Sequence, residues 1–151
     1  PEWHPGGEMF VFKSNKGEEE HIFKLYTLKP GEEPVLVPTD RAYHGYPGWS
    51  PDATHMVFNS YDPEVESTSE MDIFVVNLSS GESIAVTSGS DFDDSGRWSP
   101  DGKFISFHSS RSGNLDVWKI EVSSNGTPIG EPIRLTPNDS REHCRRCSHD
   151  G

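Results

Sequence analysis

Histidines and carboxylates recur at one phase of this chain. Five residues ahead of Trp49, Trp98 and Cys147 stand His44, Asp93 and Glu142, and Asp91, Asp94 and His143 lie beside them. Imidazole nitrogens and carboxylate oxygens that converge on one point can hold a divalent cation or the end of a basic peptide. A loop that only keeps its surface solvated would carry the same residue types. His44, Asp93, Asp94, Glu142 and His143 are therefore candidate ligands, and no other cofactor is expected. The string HCRRCSH, His143 to His149, adds a Cys144-x-x-Cys147 pair, which is half of a zinc site. A structural zinc draws four ligands in a closed tetrahedron. Alternation along a strand would turn the two cysteines to opposite faces, so the string reads equally as a degraded repeat start. Ser148 separates Cys147 from His149, which excludes a c-type haem attachment.

Covalent catalysis finds no equipment. A nucleophile elbow GxSxG, a phosphate loop GxxxxGK[ST] and a zinc-protease HExxH are all missing. Arg111, in SSRSGNLDVW, has Gly113 for a bend and Asp116 in reach, which suits a turn-bracing ion pair or a contact to an acidic partner. The stretch YDPEVESTSEMD carries Asp62, Glu64, Glu66 and Glu70 and fits a long surface loop that is either solvated or touches a partner. With 13 Lys and Arg against 25 Asp and Glu, the net charge of -12 repels nucleic acid and anionic membrane surfaces. Cations or basic protein and peptide surfaces are the partners it favours. No run of 18 apolar residues exists to insert in a bilayer. Sequons at Asn77, Asn125 and Asn138 lean slightly towards an extracytoplasmic setting.

The elements that must position these residues form a repeat. Only 31% of the residues are hydrophobic, whereas Gly, Pro and Phe number 14, 12 and 8, a composition for many short strands joined by tight turns. Trp3, Trp49 and Trp98 open WHPGG, WSPDA and WSPDG, and Cys147 opens the degraded CSHDG. Pro5, Pro51 and Pro100 preset the first corner of a type I turn, Asp52 and Asp101 accept bonds from turn amides, and Gly102 takes the left-handed position. Ala53 stands where that glycine is expected.

Downstream, Phe10 and Phe12, Met56 and Phe58, and Ile105 and Phe107 keep the period of two of a half-buried strand, closed by Ser14, Ser60 and Ser109. Second strands are expected at Ile22 to Leu28, Ile73 to Leu78 and Val117 to Val122, with Phe23, Phe74 and Trp118 in matching places. Third strands are expected at Val35 to Val37, Ile84 to Val86 and Ile133 to Leu135, followed by Pro38, Thr87 and Thr136. Fourth strands precede each Trp, from about Tyr43 to Trp49, Phe92 to Trp98 and Arg141 to Cys147. Four short antiparallel strands cannot bury both faces of their sheet alone, so units of this length stack as blades of an all-β propeller.

The segment WSPDGKFISFHSSRSGNLDVWKIEV, followed by EPIRLT, resembles the repeat of TolB-type, WD40-like β-propellers. The resemblance covers all three units. It is weakest in the first, where Gly6 replaces the Asp and His21 stands where Asp72 and Asp116 stand later. It implies a ring of six to eight blades that docks proteins, or the propeller of a prolyl oligopeptidase-like serine peptidase. The expected units are about 3–48, 49–97 and 98–146, with a fourth starting at 147–151: two whole blades, the last three strands of one and the first strand of another. That is a partial ring, either a piece of a longer one or a half ring that meets a second copy, and open blade edges could self-associate. The leading expectation is a non-catalytic scaffold that binds protein or peptide. The alternatives are a peptidase propeller whose catalytic domain lies outside this chain and a metal-dependent enzyme acting at the channel mouth.

Overall fold

The computed structural model describes residues 1–17, 22–41, 45–61, 71–89 and 91–136. All regular structure among them is β. The strands are β1 (Glu2–Trp3), β2 (Phe10–Ser14), β3 (Lys24–Leu28), β4 (Val35–Leu36), β5 (Gly45–Trp49), β6 (His55–Ser60), β7 (Asp72–Asn77), β8 (Ser83–Ala85), β9 (Asp93–Trp98), β10 (Phe104–Ser109), β11 (Asp116–Val122) and β12 (Pro128–Arg134). They form three antiparallel meanders, β1-β2-β3-β4, β5-β6-β7-β8 and β9-β10-β11-β12. These are propeller blades. The first has a short inner strand of its own, where the repeat count allowed it only three strands.

Each Trp-x-Pro turn joins the first strand of a blade to the second, and its chemistry repeats. Gly7, Ala53 and Gly102 donate their amides to the carbonyls of His4, Ser50 and Ser99, closing the turn. The Ser50 and Ser99 hydroxyls each donate to the carboxylate two residues on, at 2.6 Å, and accept the amides of His55 and Phe104 at 3.0 Å. Asp52 and Asp101 in turn accept the amides of Thr54 and Lys103 at 3.1 Å. In the first turn, where Gly6 replaces the Asp, His4 Nδ1 accepts the Gly6 amide at 3.0 Å.

Gly7, Ala53 and Gly102 all have positive φ, at 76°, 58° and 72°. For alanine this conformation carries a strain of about 1 kcal/mol that glycine does not share. Ala53→Gly should therefore raise stability by about that amount and the melting temperature by about 2–4 °C. Thermal unfolding checks this, and an unchanged or lowered midpoint would contradict it.

Alternation on the middle blade explains the stacking. Val57, Ile73, Val75 and Val86 face the third blade and pack on Trp98, Ile105, Phe107, Ile120 and Val122. From the other face Met56, Phe58, Phe74 and Val76 pack on Val11, Leu25 and Val37 of the first. One sheet thus serves two cores, which is why β6 is buried along its whole length. The outward face of the first blade carries a ladder of rings, with Trp3 5.4 Å from Phe10, Phe10 5.9 Å from Phe12, and Phe12 5.9 Å from Tyr26.

Register corrects two of the sequence matches. Phe12, Phe58 and Phe107 pair with Tyr26, Phe74 and Trp118, so Tyr26 and not Phe23 holds the aromatic place in the first blade. Likewise Ser14, Ser60 and Ser109 pair with Lys24, Asp72 and Asp116, so Lys24 stands in the Asp position of the first blade; His21, matched there by sequence, lies outside the described residues. Thr87 and Thr136 accept the amides of Ile73 and Val117 at 2.9 Å and donate to Asp72 and Asp116 at 3.1 and 3.4 Å. The first blade, with Lys24 and Pro38 at these places, lacks that latch.

Candidate functional site

The first strand of each blade lies against the first strand of the next, so β1, β5 and β9 line the axis. Two of them share a kink. The register of β5 slips between Gly45 and Gly48, and that between β9 and β10 slips across Ser106 and His108. At the kinks Tyr46 and Ser95, each three residues before its Trp, adopt φ of 43° and 57°. Left-handed φ is unfavourable for both side chains, and a bulge of this kind re-aims a strand beside a functional surface. Tyr46 is left 49% exposed, with Lys13 Nζ 5.2 Å from its ring centroid.

A strut crosses the same wall. Glu2, Gly48 and Arg97 each immediately precede a Trp, and Arg97 Nε reaches past the middle blade to within 3.3 Å of Glu2 Oε1. Its Nη1 donates to the Tyr46 carbonyl at 3.0 Å. Glycine at position 48 makes this route available, because a Cβ there would sit 3.4 Å from Arg97 Cδ and 3.2 Å from Val57 Cγ1. Opposite charges on the first and third blades are joined across a residue with no side chain.

At the start of β9, the candidate ligands Asp93 and Asp94 are successive residues and face opposite sides of the strand. Asp93 is only 1% exposed and accepts from Arg111 Nη2 at 2.7 Å. Arg111 Nε also donates to Ser109 at 2.7 Å, and its guanidinium lies 5.2 Å from the ring centroids of Phe107 and Trp118. The expected partner of Arg111 was Asp116. That carboxylate instead takes Arg134 at 2.7 Å and Ser112 at 2.5 Å. Asp94 meets the imidazole of buried His108 at 3.2 Å. Asp91 lies just ahead, partly exposed. His44, Glu142, His143, Cys144 and Cys147, and the acidic loop from Asp62 to Glu70, lie outside the described residues.

Burial raises the Asp93 carboxyl above its ordinary value of 3.8, against opposing bonds from Ser109 and Arg111. Asp72 is raised as well, mainly by burial, with the nearby Asp93 charge adding to it. Bonds from Ser112 and Arg134 hold Asp116 below the same value. Among the described residues, four carboxylates at this end of the second and third blades are tied to internal partners: Asp72 to Thr87, Asp93 to Arg111, Asp94 to His108 and Asp116 to Arg134. Among the described residues no three His, Cys, Asp or Glu side chains come together as a metal shell. Arg111 holds Oδ2 of Asp93 and His108 meets Oδ1 of Asp94.

With this geometry in place, the family is decided by one match: the model of the TolB beta propeller domain fits residues 1–151. The chain belongs to the TolB β-propeller family. Among solved structures, a TolB-type propeller from Agrobacterium tumefaciens superposes with a TM-score of 0.76 at 26% identity, covering 92% of this chain and 46% of that one. Over 78 residues, 52% of this chain and 25% of the relative, it is 32% identical to an uncharacterised Agrobacterium fabrum protein. Porphyromonas gingivalis dipeptidyl-peptidase 5 is 24% identical over 131 residues, 81% of this chain and 19% of that protein. This TolB-family chain therefore spans a quarter or less of the curated relatives and under half of that solved structure. Repeat phase and turn residues had pointed to the family. The strut and the kinks had a signal too, the shared position of Glu2, Gly48 and Arg97 before each Trp, which sequence reasoning passed over.

Proposed function

We propose that the chain is the blade segment of a non-catalytic propeller scaffold that binds a protein or peptide at the axial wall and the loops around it. The observation that carries this reading is the paired kink. Two inner strands bend at the same repeat position, at a cost in backbone strain, and the bend leaves the Tyr46 ring open on a wall crossed by the Arg97–Glu2 pair. Strain of this kind persists where the surroundings enforce it and a surface uses it. Among the described residues, charged groups nearby brace the blades: Arg97 reaches Glu2 and Arg111 holds Asp93. Cross-linking from position 46 tests the reading: a discrete adduct with one protein or peptide is expected, and its absence in the intact protein would contradict it.

A second reading has its own support. The alignment with dipeptidyl-peptidase 5 covers four-fifths of this chain, and the resemblance to prolyl oligopeptidase-like propellers implies a serine peptidase domain beside them. On that reading the catalytic serine belongs to sequence beyond these residues. A fluorophosphonate probe that labels the intact protein would favour the peptidase propeller over the scaffold.

A further inference from the structure

The junction between the first and second blades holds an apolar groove of about 270 Å³, whose lining includes His4, Thr27, Val35, Leu36, Trp49 and Leu78. At the next junction the matching place is filled, for a reason visible in the register. Thr27 and Val75 occupy the same place, opposite Val11 and Val57. Against Val75 the β11–β12 turn presses Gly126 so closely that a Cβ would lie 2.6 Å from Val75 Cγ1. The corresponding Gly81 of the β7–β8 turn lies instead against Pro38, so that turn does not press on Thr27 and the groove beside it stays open. Val35 and Leu36 on its rim are 62% and 48% exposed. His4 and Trp49, 4.9 Å apart and nearly perpendicular, contribute aromatic walls.

Size, edge chemistry and charge limit the occupant. Pockets for drug-sized ligands run from about 300 to 1,000 Å³, and this one is the size for a single large side chain. Pro34 and Pro38 bracket β4, so the edge has few free amides and resists an added strand. A partner would therefore enter by a side chain. The surroundings are acidic: Glu32 and Glu33 are exposed just ahead of β4, Asp52 is exposed beside the lining residue Ala53, and Glu8 lies 3.6 Å from His4. Lys29, in the turn that holds Glu32, is the one cation in that stretch. The net charge of -12 adds to this field.

We infer that the groove takes one large apolar side chain, Leu, Phe or Trp, from a peptide segment flanked by Lys or Arg. The inference rests on the scaffold reading and gives it a second contact surface, away from the axis.

The test uses fluorescein-labelled nonapeptides with a central Leu, Phe or Trp between lysines, compared with a central Ala and with aspartate flanks, by anisotropy with the intact protein. Central Ala or aspartate flanks should weaken binding at least tenfold. Leu36→Glu should do the same, and Glu32→Lys with Glu33→Lys should weaken it severalfold. Ile129→Glu places the same charge on a residue equally exposed at 48% but remote from the groove, and should leave binding unchanged. Circular dichroism confirms that each variant folds. The groove assignment is overturned if none of these peptides binds at millimolar concentration, if Leu36→Glu has no effect, or if Ile129→Glu weakens binding as much. None of those results touches cross-linking from position 46, by which the scaffold reading stands or falls separately.

Discussion

Arg111→Leu should destabilise the protein by about 3 kcal/mol at neutral pH, because removing one partner leaves the other as an uncompensated buried charge. The partner left behind is Asp93, 1% exposed and 2.7 Å from the guanidinium. Asp93→Asn should cost clearly less, since Arg111 is partly solvated and keeps its place near Phe107 and Trp118. The loss in Arg111→Leu should also depend on pH. Burial already raises the folded pKa of Asp93 above 3.8, so between 3.8 and that raised value the folded state holds more protons than the unfolded state. Stability from this group therefore falls as pH rises through the folded pKa. Without Arg111 the interval widens upwards. The deficit against wild type is then largest above it and shrinks as pH falls towards 3.8. Urea unfolding of both proteins across this range is the check, and a pH-independent deficit would contradict the assignment of the pair.

Phe58→Ala should cost about 3–5 kcal/mol, the range for emptying an aromatic site in a packed core. Phe58 is fully buried, lies 6.0 Å from Phe74 between ring centroids, and joins the second blade to Val11, Leu25 and Val37 of the first. Phe12 holds the same repeat position on the outward face of the first blade, half-buried within the ring ladder. Phe12→Ala should cost less than half as much where that face is open. Equal costs in the intact protein would mean that a further sheet covers it.

These residues show how far sequence alone reaches. The core faces were legible because a strand alternates with period two, and Phe58 and Phe107 keep one phase after each Trp. The turns were legible because proline, aspartate and glycine have fixed conformational roles, and even the misplaced Ala53 was found by its position. Hairpin register was harder. Phe23 and Tyr26 are both aromatic and precede the same third strand, and only pairing to β2 shows that Tyr26 opposes Phe12. Arg111 was assigned the carboxylate five residues on, whereas the pairing of Ser109 with Asp93 brings a carboxylate from the neighbouring strand closer. The link from Glu2 to Arg97 and the groove beside Thr27 depend on how blades curve around the axis, a relation between strands far apart in sequence.

The most direct test of the account is position-specific cross-linking of the intact protein with a photoreactive phenylalanine at Tyr46, on the axial kink, and at Ile129, on the outer strand of the third blade. Both residues are about half exposed. A binding scaffold predicts a discrete adduct from position 46 that position 129 does not give. Equal, diffuse labelling from both positions, or none from position 46, would contradict it.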